Sequence, residues 1–225
     1  MAATKSISHS SQTTGRKEGS WLFVFEILSC PHLVLSNLCC NDGISIQGGS
    51  TDTGAFIGHA VNTTVKGVNS TLKVSGKNNV GGIIGYAKDD TGRTYSFADA
   101  SGSVQPDSRS SELTNLVNTG NVSGVSNVGG LVGYMDGGKL SNDEENRIQY
   151  KGSYNLGKIT GIDNGTNYSS NIGGLIGKAE NATVGGTKHT MINYNTVEGG
   201  YNVGGIVGSF LAGLLEVGGQ AVLGR

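Results

Sequence analysis

Apolar positions along this chain come in short bursts and never trace one face of a helix. In Leu72-Lys73-Val74-Ser75-Gly76 and Gly120-Asn121-Val122-Ser123-Gly124, apolar and polar residues alternate about a central valine. Gly157-Lys158-Ile159-Thr160-Gly161 and Asn195-Thr196-Val197-Glu198-Gly199 repeat the arrangement. A period of two marks a strand with one buried face. Each burst ends in glycine and leads to a denser one. These read Asn79-Val80-Gly81-Gly82-Ile83-Ile84-Gly85-Tyr86, Asn127-Val128-Gly129-Gly130-Leu131-Val132-Gly133-Tyr134, Asn171-Ile172-Gly173-Gly174-Leu175-Ile176-Gly177-Lys178 and Asn202-Val203-Gly204-Gly205-Ile206-Val207-Gly208-Ser209. A degenerate copy, Thr53-Gly54-Ala55-Phe56-Ile57-Gly58-His59, comes first. The apolar pair between the glycines is too short for a helix and carries β-forming residue types. The predicted unit is strand, corner, glycine-rich strand, corner, and a loop of variable length.

Isolated glycines weaken a strand, so a fixed pattern of them marks places where a side chain cannot fit. The pairs Gly81-Gly82, Gly129-Gly130, Gly173-Gly174 and Gly204-Gly205 suit a bend needing positive φ. The third glycines, Gly85, Gly133, Gly177 and Gly208, suit a close approach of backbones. The leading asparagines are placed to form a ladder along the corner. Successive motifs lie 48, 44 and 31 residues apart, a variation that a solenoid tolerates and a propeller blade does not. So small a unit cannot bury its apolar face alone, and neighbouring units must stack. The expected fold is all-β, a parallel β-solenoid of about four to five coils with strands about 4.8 Å apart, preceded by an irregular head.

The repeat resembles the GLUG motif, Gly-Leu-x-Gly, which stands here as Gly130-Leu131-Val132-Gly133 and Gly174-Leu175-Ile176-Gly177. The other copies depart at the leucine, with Ile83, Ile206 and Phe56. The likeness takes in the upstream Asn-x-Gly-x-Val-x-Gly segment and covers residues 51 to 209. In that family such repeats sit in large secreted or surface-anchored bacterial proteins, including adhesins and the N-terminal regions of immunoglobulin A1-specific zinc metallopeptidases. The resemblance implies an extracellular scaffold and no catalytic unit.

Composition agrees with a corner-rich β stack. Glycine fills 39 of 225 positions, against an average near 7%. Charged residues are only 15% of the chain and the net charge is −1, which leaves no electrostatic footprint for nucleic acid or an anionic membrane. No apolar run is long enough to span a membrane as a helix. The cysteines, at 30, 39 and 40, all precede the repeats, so disulfides do not hold the stack. The expected division is an irregular head at 1–42 (a degraded signal sequence, a cap, or a segment foreign to the natural reading frame), repeats at 43–209, and a tail or truncated next coil at 210–225. Two insertions, Lys88 to Glu112 and Asp136 to Tyr150, project from one side and are the expected places for binding.

Candidate chemistry is sparse. His9, His32, His59 and His189 form no zinc motif, and His59 reads as a solvent-facing residue. Gly173 to Lys178 falls short of a phosphate-binding loop, because its glycine spacing is wrong and Ala179 follows the lysine. The glycine pattern also lacks the aspartate of calcium-binding nonapeptides. Asp89-Asp90 and Asp143-Glu144-Glu145 read as solvated surface before they read as paired catalytic acids or calcium ligands. Sequons occur at Asn62, Asn69, Asn121, Asn164, Asn167 and Asn181. The tyrosines at 86, 134, 154, 168, 194 and 201 recur beside the motifs, either as rings filling corners or as an exposed stripe that stacks on sugars.

The expected function is a non-enzymatic extracellular repeat module, an adhesin-like scaffold displaying loops toward host or matrix glycan or protein. No cofactor, metal or nucleic acid is expected, and further repeats in a longer chain are. The alternative is an accessory repeat region of a secreted peptidase or carbohydrate-active enzyme whose catalytic domain lies elsewhere. A third, weaker option is a β-helical polysaccharide-degrading enzyme in its own right.

Overall fold

The structure, a computed structural model, describes residues 25–27, 33–36, 44–89, 112–141, 153–186 and 191–217. Every regular element among them is a β-strand, and every strand pairing is parallel. Three sheets form, one of 12 strands and two of five.

The chain visits the sheets in a recurring order. Lys73–Ser75 joins one five-stranded sheet, Asn78–Gly81 joins the other, and Ile84–Lys88 and Glu112–Asn118 join the large one. The next pass repeats this with Val122–Gly124, Ser126–Gly129, Val132–Asp136, and then Lys139–Ser141 and Tyr154–Asn155. Ile159–Gly161, Ser170–Gly173, Ile176–Gly186 and Ile192–Asn193 follow, and Val197–Glu198, Tyr201–Gly204 and Val207–Val217 close the series. Parallel strands need crossovers, and here the other two sheets serve as the crossover.

Register turns the repeat into columns of like side chains. Val74, Val122, Ile159 and Val197 are partners in one sheet. Val80, Val128, Ile172 and Val203 are partners in the second. In the large sheet Ile57, Ile84, Val132, Ile176 and Val207 align. Two apolar clusters result, one lining the large sheet and one between the two smaller sheets. Ile83, Leu131 and Leu175, the middle residues of the motif, are fully buried. At about 25 cal/mol per Å² of apolar surface removed from water, these columns are the main stabilising term.

The all-β expectation holds, with parallel sheets and no helix among the described residues. Two segments of the head expected to be irregular, Phe25–Ile27 and Leu33–Ser36, are strands paired with Ile57–Val61 and Thr63–Ser70. Val207–Val217 runs without a break across residues 209 and 210, in register with Ile176–Gly186. Of the two long insertions, residues 90–111 and 142–150 lie outside the described residues, as do Asp90 and Asp143-Glu144-Glu145. Lys139–Ser141, expected within the second insertion, is instead a strand of the large sheet.

Candidate functional site

The most repeated residues are the glycines, and they lie where backbones crowd. Gly81, Gly129, Gly173 and Gly204 are register partners. A Cβ on Gly129 would stand 2.0 Å from the carbonyl oxygen of Val132. On Gly130 it would stand 2.2 Å from the Gly174 oxygen and 2.5 Å from the side chain of Asn155. On Gly133 it would stand 2.4 Å from the nitrogen of Val80. All three motif positions therefore exclude side chains by close approach.

The expected bend at the glycine pairs is corrected by the backbone angles. None of these glycines has positive φ; the left-handed residue is the asparagine two places before each pair. Asn79, Asn127, Asn171 and Asn202 have φ of 51°, 53°, 57° and 51°, and Asp52 has 52° in the first pass. Asn and Asp tolerate this region better than other residues with a side chain, because their short polar group bonds locally.

These asparagines form the expected ladder, and it has a polarity. Asn202 donates its amide to Asn171 Oδ1 at 2.8 Å, Asn171 to Asn127 at 2.7 Å, and Asn127 to Asn79 at 2.7 Å. Asn79 donates to Asp52 Oδ1 at 2.6 Å, and the other Asp52 oxygen meets His59 Nδ1 at 2.9 Å. Each residue donates toward the N-terminal pass, so the first member needs only to accept, and a carboxylate accepts without donating. Asp52 fits that end for this reason.

A second, largely buried ladder was not foreseen, although Asn118 and Asn155 open the Asn-x-Gly segment. Asn118 donates to Asn155 Oδ1 at 2.8 Å, and Asn155 to Asn193 Oδ1 at 2.9 Å. Each also bonds the residue two places on, as when Asn155 donates to the Gly157 oxygen and accepts from its nitrogen. Asn118 and Asn155 are fully buried. Their side chains fill the space that the missing Cβ atoms of Gly82 and Gly130 leave open, which couples the upstream segment to the glycine pair of the motif.

Outside, a column of His59, Tyr86, Tyr134 and Lys178 runs across the large sheet. Tyr86 and Tyr134 stack at 4.9 Å, His59 meets Tyr86 edge-on at 4.6 Å, and the Lys178 ammonium lies 4.8 Å from the Tyr134 ring centre. The Tyr134 hydroxyl donates to Glu180, which also pairs with Lys178 at 3.0 Å. Burial, then the bond to Glu180, raises the Tyr134 pKa above the ordinary phenol range. The Tyr134 hydroxyl bond, then Lys178, lowers that of Glu180. Tyr134 has its faces occupied by Tyr86 and Lys178, so it offers no platform to a sugar. His59, expected to face solvent, is partly buried against Asp52 and Tyr86.

The six tyrosines among the described residues thus form three separate pairs and no continuous stripe. Tyr154 is buried and meets Tyr194 edge-on at 6.2 Å. Tyr168 and Tyr201 meet edge-to-face at 5.5 Å and are 64% and 59% exposed. Tyr168 ends an exposed loop, residues 162–168, that turns on its own side chains. Asn164 Oδ1 accepts from the nitrogens of Thr166 and Asn167, and Asp163 Oδ1 accepts from the Ser169 nitrogen at 2.7 Å.

Nothing among these groups converges on a reaction centre. A depression lined by Ala60, Thr63, Ala87, Leu113 and Met135 has a volume of about 10 Å³, room for a single water, far below the roughly 300–1,000 Å³ of ligand pockets. Among the described residues no three His, Cys, Asp or Glu side chains gather to hold a metal ion. The chain matches no protein-family model, no curated protein and no solved structure.

Proposed function

We propose that this chain is a non-enzymatic, extracellular repeat module, a parallel β-solenoid that holds loops at intervals for binding to a cell surface or matrix. One observation carries the reading. The residues that recur, namely the glycines, both sets of asparagines and the apolar columns, meet their own counterparts in the neighbouring pass. Repetition is thus spent on stacking, and chemistry that varies is left to the segments between strands. The loop at 162–168, with Tyr168 beside Tyr201, is one such segment: held by its own side-chain hydrogen bonds, neutral apart from Asp163, and aromatic at its base.

The test is binding of the intact chain to a glycan array and to immobilised matrix proteins. Variants trimmed at 90–111 or 142–150, and the pair Tyr168→Ala and Tyr201→Ala, are then compared. Trimming from 142 spares the strand Lys139–Ser141. The reading expects at least one variant to lose binding while its far-ultraviolet dichroism and thermal midpoint stay unchanged. Binding that survives every change would end it.

A further inference from the structure

The last described pass presents a surface that every earlier pass has covered. Gly205 marks it most plainly. A Cβ on Gly82, Gly130 or Gly174 would stand 2.1, 2.2 and 2.0 Å from the carbonyl oxygen of the corresponding glycine in the next pass, while at Gly205 nothing lies within 4 Å. Nor does Gly205 have positive φ. Nothing among the described residues requires a glycine there. Asn202 tells the same story. The Oδ1 atoms of Asn79, Asn127 and Asn171 each accept the amide of the next pass, and that of Asn202 accepts none among the described residues. The apolar columns also end open. Val203 is 40% exposed where Val80, Val128 and Ile172 are fully buried, and Leu215 is 44% exposed where Val184 is 1%.

We infer that the edge formed by Tyr201–Gly204 and Val207–Val217 is a docking surface for a polypeptide segment that carries Asn-(Val/Ile)-Gly-Gly-(Leu/Ile)-(Val/Ile)-Gly and adds one further pass of the same repeat. The occupant is identified by what covers the equivalent surface three times inside this molecule. Its asparagine donates to Asn202 Oδ1, its glycine carbonyl closes over Gly205, and its apolar residues cover Val203, Ile206 and Val207. An open parallel edge is a template for such pairing. A second copy docking by its own first pass fits poorly. Its ladder position is Asp52, whose carboxylate would meet the acceptor oxygen of Asn202, and two acceptors share no hydrogen. The inference rests on the stacked-pass reading above.

A synthetic peptide copying residues 169–180, Ser-Ser-Asn-Ile-Gly-Gly-Leu-Ile-Gly-Lys-Ala-Glu, tests it by fluorescence anisotropy against the full chain and against Gly205→Val. The valine meets nothing in the free protein, so the thermal midpoint should stay put. It obstructs the incoming carbonyl, so peptide affinity should fall at least about tenfold. A peptide with leucine in place of its asparagine should bind more weakly to the unaltered chain. No saturable binding, or equal affinity for Gly205→Val, overturns the inference. Self-association of the chain that Gly205→Val abolishes, without peptide binding, overturns it in favour of a second copy. Gly174→Val separates this from the reading beneath it. If Gly174→Val and Gly205→Val lower the midpoint equally, the stacked-pass reading itself fails. If only Gly174→Val does so and no peptide binds, the docking surface alone is lost.

Discussion

Asn155 shows how much one side chain does in this fold. Its amide donates to the Gly157 oxygen and to Asn193, and its oxygen accepts from Asn118 and from the Gly157 nitrogen, all in a buried setting. Asn155→Ala leaves several of these groups unpaired, each costing about 1–3 kcal/mol. Chemical denaturation should show a loss of about 3 kcal/mol or more. Ala212 offers the opposite change. It holds φ of 52° at a corner where Asn62 and Asn181 have 52° and 50°, and an alanine there is strained by about 1–2 kcal/mol. Ala212→Asn should raise stability by about 0.5–1 kcal/mol, read as a higher thermal midpoint. Glu180 sets a pH dependence. Its pKa is lowered in the folded chain, so its contribution is present above the ordinary glutamate value and is lost as pH falls through the folded one. Stability should therefore fall more steeply on acidification below about pH 4.5 in the unaltered chain than in Glu180→Gln. Tyr134 acts at the other extreme. Its raised pKa adds stability that is complete below the ordinary phenol value and fades as pH climbs beyond it.

At the scale of the element, the glycine-rich strand is the most constrained part of each pass. Leu131 is fully buried between glycines that cannot shift. Leu131→Ala should cost about 2–5 kcal/mol by denaturant titration, since the neighbouring passes cannot collapse into the cavity. Gly130→Val should be worse, because its side chain meets both the Gly174 carbonyl and Asn155. That variant is expected to be insoluble or unfolded by circular dichroism. The motif was legible in the sequence because its spacing of small and apolar residues is invariant across copies. The reason for its first two glycines was not legible. A glycine crowded by a neighbouring backbone and one bent to positive φ look alike in a sequence, and Asn79, Asn127, Asn171 and Asn202 took the bend.

Across the whole molecule, each pass touches chiefly its neighbours, so stability is approximately a sum of pass and interface terms. The middle passes have two interfaces, and the last described one has a single interface, with Val203, Leu211 and Leu215 exposed. Native-state hydrogen exchange should accordingly show the amides of Asn78–Gly81 and Ser126–Gly129 exchanging slowest and those of Val207–Val217 exchanging faster. Uniform protection along the chain would contradict this picture. The same arrangement accounts for the three separate tyrosine pairs. Tyr154 shares the large sheet with Tyr86 and Tyr134 but is buried, and Tyr201 belongs to a five-stranded sheet, so the rings do not line up on one face.

By itself the sequence determined the strand types, the repeating unit and the parallel stacking of like residues, and it suggested, without fixing their direction, a ladder of Asn79, Asn127, Asn171 and Asn202. Those follow from local periodicity and from a unit too small to bury its own apolar face. Only the tertiary structure decided the rest: the buried ladder of Asn118, Asn155 and Asn193, the strands within the head, the occupied faces of the Tyr134 ring and the empty space over Gly205. Each depends on what a neighbouring pass, tens of residues away in the chain, brings to within van der Waals distance.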